Sequence, residues 1–179
     1  MKMVLIAAGA ALALSGCSTM MGDDMSGSQM AGSMAMPTRA AAYMEMAHSS
    51  DMFEVESSRM ALQMSRSQPV RAFAQMMVTD HTRMMNEMMA MAGPMGMNMA
   101  SMPMMPKHAA MLQRLQGASA ADFDMMYKRE QMMAHEEAVM MHRTYAQNGD
   151  NAALRAMAAR AVPMVTAHLA RTRALPGRM

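Results

Sequence analysis

Four stretches of this chain repeat their apolar residues at steps of three and four, and about 27 residues, Gly93 to Ser119, separate the second from the third. That spacing is the period of a helix with one buried face. In the first stretch, Thr38 to Ser65, the face is Met46, Ser50, Phe53, Ser57, Met60 and Met64. The second starts after the N-cap candidate Ser67, with Pro69 in its first turn. Its face is Val70, Ala74, Met77, His81, Met84, Met88 and Met91. The third runs from Ala120 to Gln147. The turn Asn148-Gly149-Asp150 closes it and is expected to cap the fourth. The face of the fourth is Leu154, Ala158, Ala161, Val165, His168, Thr172 and Leu175. Pro163 lies inside this stretch, and a kink is expected near Ala159 because proline removes one helical hydrogen bond.

Composition closes off the alternative to helix. Valine is sparse and the single isoleucine, Ile6, precedes all four stretches, which argues against a β fold. Alanine, methionine, glutamine and arginine, all good helix formers, dominate. A helix of about 28 residues is about 42 Å long, and the connection over 93–119 is long enough to run that full height. The expected architecture is therefore all-α: two antiparallel hairpins joined by a long crossover, a ferritin-like four-helix bundle rather than an up-down one. The crossover carries one short helical piece, His108 to Leu115.

The first residues read as an export signal. Lys2 is a basic start, and Val4 to Leu14 is an apolar run too short to span a membrane. The run ends in Leu14-Ser15-Gly16-Cys17, which resembles a bacterial lipobox. The resemblance implies cleavage before Cys17 and lipidation of that residue. Cys17 is the one cysteine in the chain, so no internal disulfide can form. Ser18 after it resembles sorting to the outer membrane. The expected organisation is a lipoprotein signal peptide over 1–16, a flexible Met/Gly/Ser tether over 17–37, a helical domain over 38–175 and a tail over 176–179. The expected location is the bacterial cell envelope, on the periplasmic face of the outer membrane, with the membrane as partner through the lipid. A formal charge of +2 and the absence of tryptophan exclude nucleic acid as a partner on charge and stacking grounds.

Several landmarks carry a resemblance over residues 38 to 175. They are Phe53-Glu54-Val55-Glu56, the run Val70 to Thr82 with Asp80-His81, Phe123-Asp124 with Tyr127 and His135, and Leu154 with Pro163 and His168-Leu169. Their order and spacing resemble the bacterial envelope family catalogued as domain of unknown function forty-one forty-two. The resemblance implies a ferritin-like bundle in an exported protein and no established activity. Methionine stands here at many positions where such proteins carry leucine.

Three constellations can bear chemistry. Hairpin geometry about Ser67 puts His81 level with Glu54, and a ferritin-like topology brings the midpoints of the helices together. Glu54, His81, His135 and His168 would then meet in the interior, as imidazoles and carboxylates do in bundles that hold transition metals. A buried polar network that fixes register is the competing reading. Glu45 and His48, at i and i+3, share a helix face, and His48 falls level with Glu87, so these three form a secondary metal candidate near the bundle end. A solvated helix end is the competing reading there.

The third constellation is sulfur. The chain holds 36 methionines, and Met95, Met97, Met99, Met102, Met104 and Met105 crowd the Gly/Pro-rich crossover. Thioethers suit soft ions such as Cu(I) and Ag(I), and they have no proton to lose at acid pH. Exposed methionines also react with oxidants to give sulfoxide. No nucleophilic triad, phosphate loop or dinucleotide glycine pattern occurs. The expected function is that of a non-enzymatic, lipid-anchored envelope protein that binds soft metal ions through its Met-rich segments. The alternatives are a sacrificial oxidant scavenger and a ferritin-like metal-dependent oxidoreductase. The cofactor expected is Cu(I), or a transition metal inside the bundle.

Overall fold

The computed structural model describes residues 36–176. The signal peptide, Cys17 and the tether before Met36 fall outside the described residues, as do the last three residues of the tail. The described chain is all-helical, with no strand among the described residues. It forms α1 (Ala40–Met64), α2 (Gln68–Ala92), two single 3-10 turns (Gly93–Met95 and Met99–Ser101), α3 (Pro106–Gln116), α4 (Phe123–Asn148) and α5 (Ala152–Ala174). Three-residue connections fold α1 against α2 and α4 against α5. The two hairpins meet where α1 packs on α4, and α3 lies against both of those helices.

α1 is therefore covered on several sides, which its single expected stripe does not convey. Tyr43, Met44, Ala47, Asp51, Glu54, Val55, Ser58 and Ala61 are buried beside the stripe residues Met46, Ser50, Phe53 and Ser57. Towards its end the stripe runs out, with Met60 part-buried and Met64 exposed. The faces of α2 and α5 follow the sequence pattern closely. Every residue of the α5 stripe is buried, and on α2 only Met91 is not. α5 continues through Pro163.

Apolar packing divides into three clusters, one of them formed by Met84, Ala138, Val139, Ala161, Val165 and Leu169 of α2, α4 and α5. At one end Tyr43, Met88, Met141, Tyr145, Leu154 and Met157 pack together. Tyr43 and Tyr145 stack there with ring centroids 3.9 Å apart. At the other end Phe53, Phe73, Phe123, Tyr127, Met77 and Leu115 form the third cluster.

Three boundaries differ from the sequence reading, each for a local reason. Ser119 Oγ donates to Asp122 Oδ2 and accepts the Asp122 N–H, so Ala120 to Asp122 form a turn and α4 starts at Phe123. Ser67 makes no side-chain cap bond; Ser65 Oγ instead accepts the Ser67 N–H. Asn151, not Asp150, caps α5 by accepting the Leu154 N–H. Asp150 Oδ1 accepts instead from the Ala40 N–H at 2.8 Å and from the Tyr145 hydroxyl, while the Asp150 N–H donates to Thr38 O. That set ties the start of α1 to the α4–α5 turn.

The same turn brings Gly149 against the tyrosine stack. A Cβ there would lie 2.6 Å from the Tyr145 ring and 2.7 Å from the Tyr145 carbonyl oxygen. Tyr145 is held by Tyr43 and Asp150 and cannot withdraw. Gly149→Ala is expected to cost about 1–3 kcal/mol by overpacking, read as a lower midpoint in thermal unfolding.

Candidate metal centre

His81 sits on the buried stripe of α2 between Met77 and Met84, and His168 on that of α5 between Val165 and Thr172. α4 adds His135 and α1 adds Glu54 and Asp51. All five side chains are at most 2% exposed. The three imidazoles form a near-equilateral triangle, with ring centroids 5.6, 5.5 and 5.4 Å apart. One ring nitrogen from each lies within 4.8 Å of those of the other two.

Hydrogen bonds set which nitrogen is free. His81 Nδ1 donates to Asp51 Oδ1 at 2.8 Å, His135 Nδ1 donates to Gln131 O at 2.9 Å, and His168 Nε2 donates to Asp80 Oδ2 at 3.0 Å. Carboxylates and carbonyls only accept, so each bonded nitrogen carries the hydrogen. In the neutral rings the lone pairs are then on His81 Nε2, His135 Nε2 and His168 Nδ1. All three atoms are buried with no hydrogen-bond partner among the described residues. A ligand imidazole whose far N–H is held by a carboxylate or carbonyl is the usual arrangement around bound metals.

Carboxyl groups flank the three rings. Glu54 Oε1 lies 3.4 Å from His135 Nδ1, and neither Glu54 oxygen has a hydrogen-bond partner among the described residues. Burial lifts the Glu54 carboxyl to about 7, against the pull of His81. Burial also raises Asp51, against its bond to His81. For His81 burial opposes charge, yet the Asp51 hydrogen bond and the nearby carboxylates of Asp51, Glu54 and Asp80 outweigh it and raise its pKa. Burial and the charge of His81 hold His135 well below the ordinary range and His168 at about 4. A single positive charge on His81 thus suits the three-ring site, and a metal cation can take its place. The donor set fits such an ion: three clustered imidazoles, each with a buried unpartnered nitrogen, and carboxyl groups beside them.

The interior residues named from sequence come together: His81, His135 and His168 in one cluster, with Glu54 against His135. Asp51 and Asp80 were missed. Asp80 was visible beside His81, and Asp51 lies one helical turn before Glu54, where hairpin arithmetic is too coarse to choose between them.

The secondary candidate does not form. His48 is buried, whereas Glu45 and Glu87 are exposed. Packing on several sides leaves α1 only a narrow solvent strip, which Glu45 occupies and His48 does not. His48 instead lies in the electrostatic range of Asp51.

The crossover also departs from an open, permissive loop. Met99 is buried, Met95, Met97, Met102 and Met105 pack on the cluster around Tyr43, and Met104 packs on the cluster around Phe53. Ser49 Oγ accepts the Met105 N–H and lies 2.7 Å from His108 Nδ1, fastening the segment to α1. Among the described residues, the exposed large apolar side chains are instead Met64, Met125, Met133 and Met140, on α1 and α4.

Away from the triangle, His142 Nδ1 lies 2.9 Å from the Tyr43 hydroxyl. Burial, with a smaller effect from His81, depresses it from 6.5 to about 3. The unfolded chain takes up this proton as pH falls below 6.5, and the folded chain does not until about pH 3. The stability His142 contributes is therefore complete above 6.5 and lost as pH falls towards 3. In His142→Gln, urea unfolding between pH 6 and 4 is expected to show a slope shallower by about 1.4 kcal/mol per pH unit.

A solved structure described as "CopM in the Cu(II)-bound form" is similar to this chain, with a TM-score of 0.64 and 21% identity. The match covers 75% of this chain and 93% of that one, and at this identity the likeness is one of fold. No curated protein matches the chain. The family described as "Domain of unknown function (DUF4142)" matches residues 25–175, most of the chain. The chain therefore belongs to that family.

Proposed function

We propose that this protein is a non-enzymatic, lipid-anchored copper-binding protein of the bacterial envelope. In this reading it holds Cu(II) at His81, His135 and His168, with Glu54 beside them. The observation that carries the reading is the cluster of three buried imidazoles from α2, α4 and α5, each with one unpartnered nitrogen. Leaving such groups unpaired costs on the order of 1–3 kcal/mol each, and a cation shared among them recovers that cost. Imidazole suits several first-row ions, and Cu(II) leads their affinity order. The copper named for the similar structure supports the same choice. The hairpin–crossover–hairpin order supports a ferritin-like bundle as the architecture, with α3 riding on the crossover.

The metal-free protein is expected to take up one equivalent of Cu(II), with nitrogen hyperfine coupling in its electron paramagnetic resonance spectrum. His135→Ala should abolish that signal, and Asp51→Asn should weaken binding by about 10–100-fold by freeing the His81 ring. An unchanged nitrogen signal in the His135→Ala variant would sink the reading.

The anchor rests on Leu14-Ser15-Gly16-Cys17. Cells fed radiolabelled palmitate should label the wild-type protein and not Cys17→Ser. Equal labelling of the two would remove the anchor.

A further inference from the structure

Between α2 and α5 the helices stand apart, and long side chains bridge the seam: Asp80 reaches His168, Arg83 reaches Met164, and Arg171 reaches Met76. Two grooves open along this seam. One, of about 290 Å³, is walled by Met84, Met157 and Met164, with Arg83, Arg160, Glu87 and Ala161 completing it. The other, at the Pro69 end, contains a single methionine, Met76, among Ala72, Phe73, Ala174 and Leu175. Methionine is therefore concentrated at one place on the seam.

That place adjoins the histidine triangle. Met84 follows His81 by three residues and Met164 precedes His168 by four, about 4.5 and 6 Å along their helix axes. Met157 lies two turns before Met164 on the same face of α5. Met84 and Met157 are buried, and Met164 is part-exposed. The Arg83 guanidinium sits 3.5 Å from Met164 Sδ and 3.6 Å from Asp80 Oδ1, so a small swing towards Asp80 uncovers the sulfur. The charges at the groove are two arginines, Arg83 and Arg160, balanced by Glu87 and Asp80.

The geometry points to a second metal site: Met84, Met157 and Met164 form a thioether site for a soft monovalent ion, Cu(I) or Ag(I), in the groove beside the histidine cluster. Neutral sulfur donors select such ions over the divalent ions that imidazole prefers. They have no proton to lose, so they stay ligating at acid pH. The site does not depend on the histidine centre holding copper. If both are filled, the groove lies within one helical turn of two of the three histidines.

Silver is the probe, added to full-length protein carrying ¹³C-methyl methionine. The three groove resonances are assigned by single Met84→Leu, Met157→Leu and Met164→Leu variants, which conserve volume. The first equivalent of silver should shift all three together, at pH 7 and again at pH 5. The triple leucine variant should lose this response while its Cu(II) spectrum stays as in wild type. If the first equivalent moves other methionines and leaves these three still, the proposal is overturned. A response that is lost in His135→Ala also overturns it, because silver would then be on the histidines. Loss of Cu(II) binding in the wild type bears only on the histidine centre, so the two readings fail separately.

Discussion

Three imidazoles that bury their lone pairs in one chamber can do so only if something holds their far nitrogens, and that requirement ties the helices to one another. Asp51 on α1 holds His81 on α2, Asp80 on α2 holds His168 on α5, and Gln131 O within α4 holds His135. Each bond fixes a tautomer, and each links or stiffens an element whose register would otherwise rest on non-directional apolar packing. The apolar clusters around Tyr43 and Tyr145, around Phe53 and Phe123, and around Val139 and Val165 fill the rest of the interior. Buried polar networks have this property: fully partnered, they specify one arrangement; partly partnered, they demand a ligand or a proton.

The apolar masses make the opposite contribution. Met44, Met77, Met88, Met99, Met141 and Met157 fill positions where a branched side chain would lock a single packing. Methionine adapts to irregular gaps and specifies shape weakly. Uniqueness in this fold is thus carried by directional contacts: the histidine layer, the Tyr43–Tyr145 stack, Ser49 on the crossover and the Arg114–Glu130 ion pair between α3 and α4. A soft filling around a rigid polar frame tolerates the small ring movements that capture of an ion requires.

Much of this was legible in the sequence. The stripes of α2 and α5 are read correctly because those helices bury one face, and the interior histidines stand on them or on α4 at the same level. α1 was read less well, because a helix packed on several sides has no single stripe, and so His48 was assigned to a surface it does not reach. The crossover was misjudged for a different reason. Gly93, Pro94, Gly96, Pro103 and Pro106 mark irregular backbone, but they do not say whether its side chains face solvent. Here Ser49 accepts a backbone N–H from the segment, and its methionines pack against the core. Capping residues were displaced by one position where a competing partner existed, as when Asp150 turned to Ala40 and left the cap to Asn151.

The knot at Asp150 also has a mechanical meaning. Thr38 O and the Ala40 N–H both bond to Asp150, whose carboxylate also holds the Tyr145 hydroxyl against the α4–α5 turn. Any pull transmitted through the chain before Thr38 arrives first at this clamp. The load passes to α4 and α5, the hairpin remote in sequence, before it reaches the hydrogen bonds of α1. A tug on the N-terminal side is thereby spread over two hairpins before it reaches the histidine layer, which begins on α1 at Asp51 and Glu54.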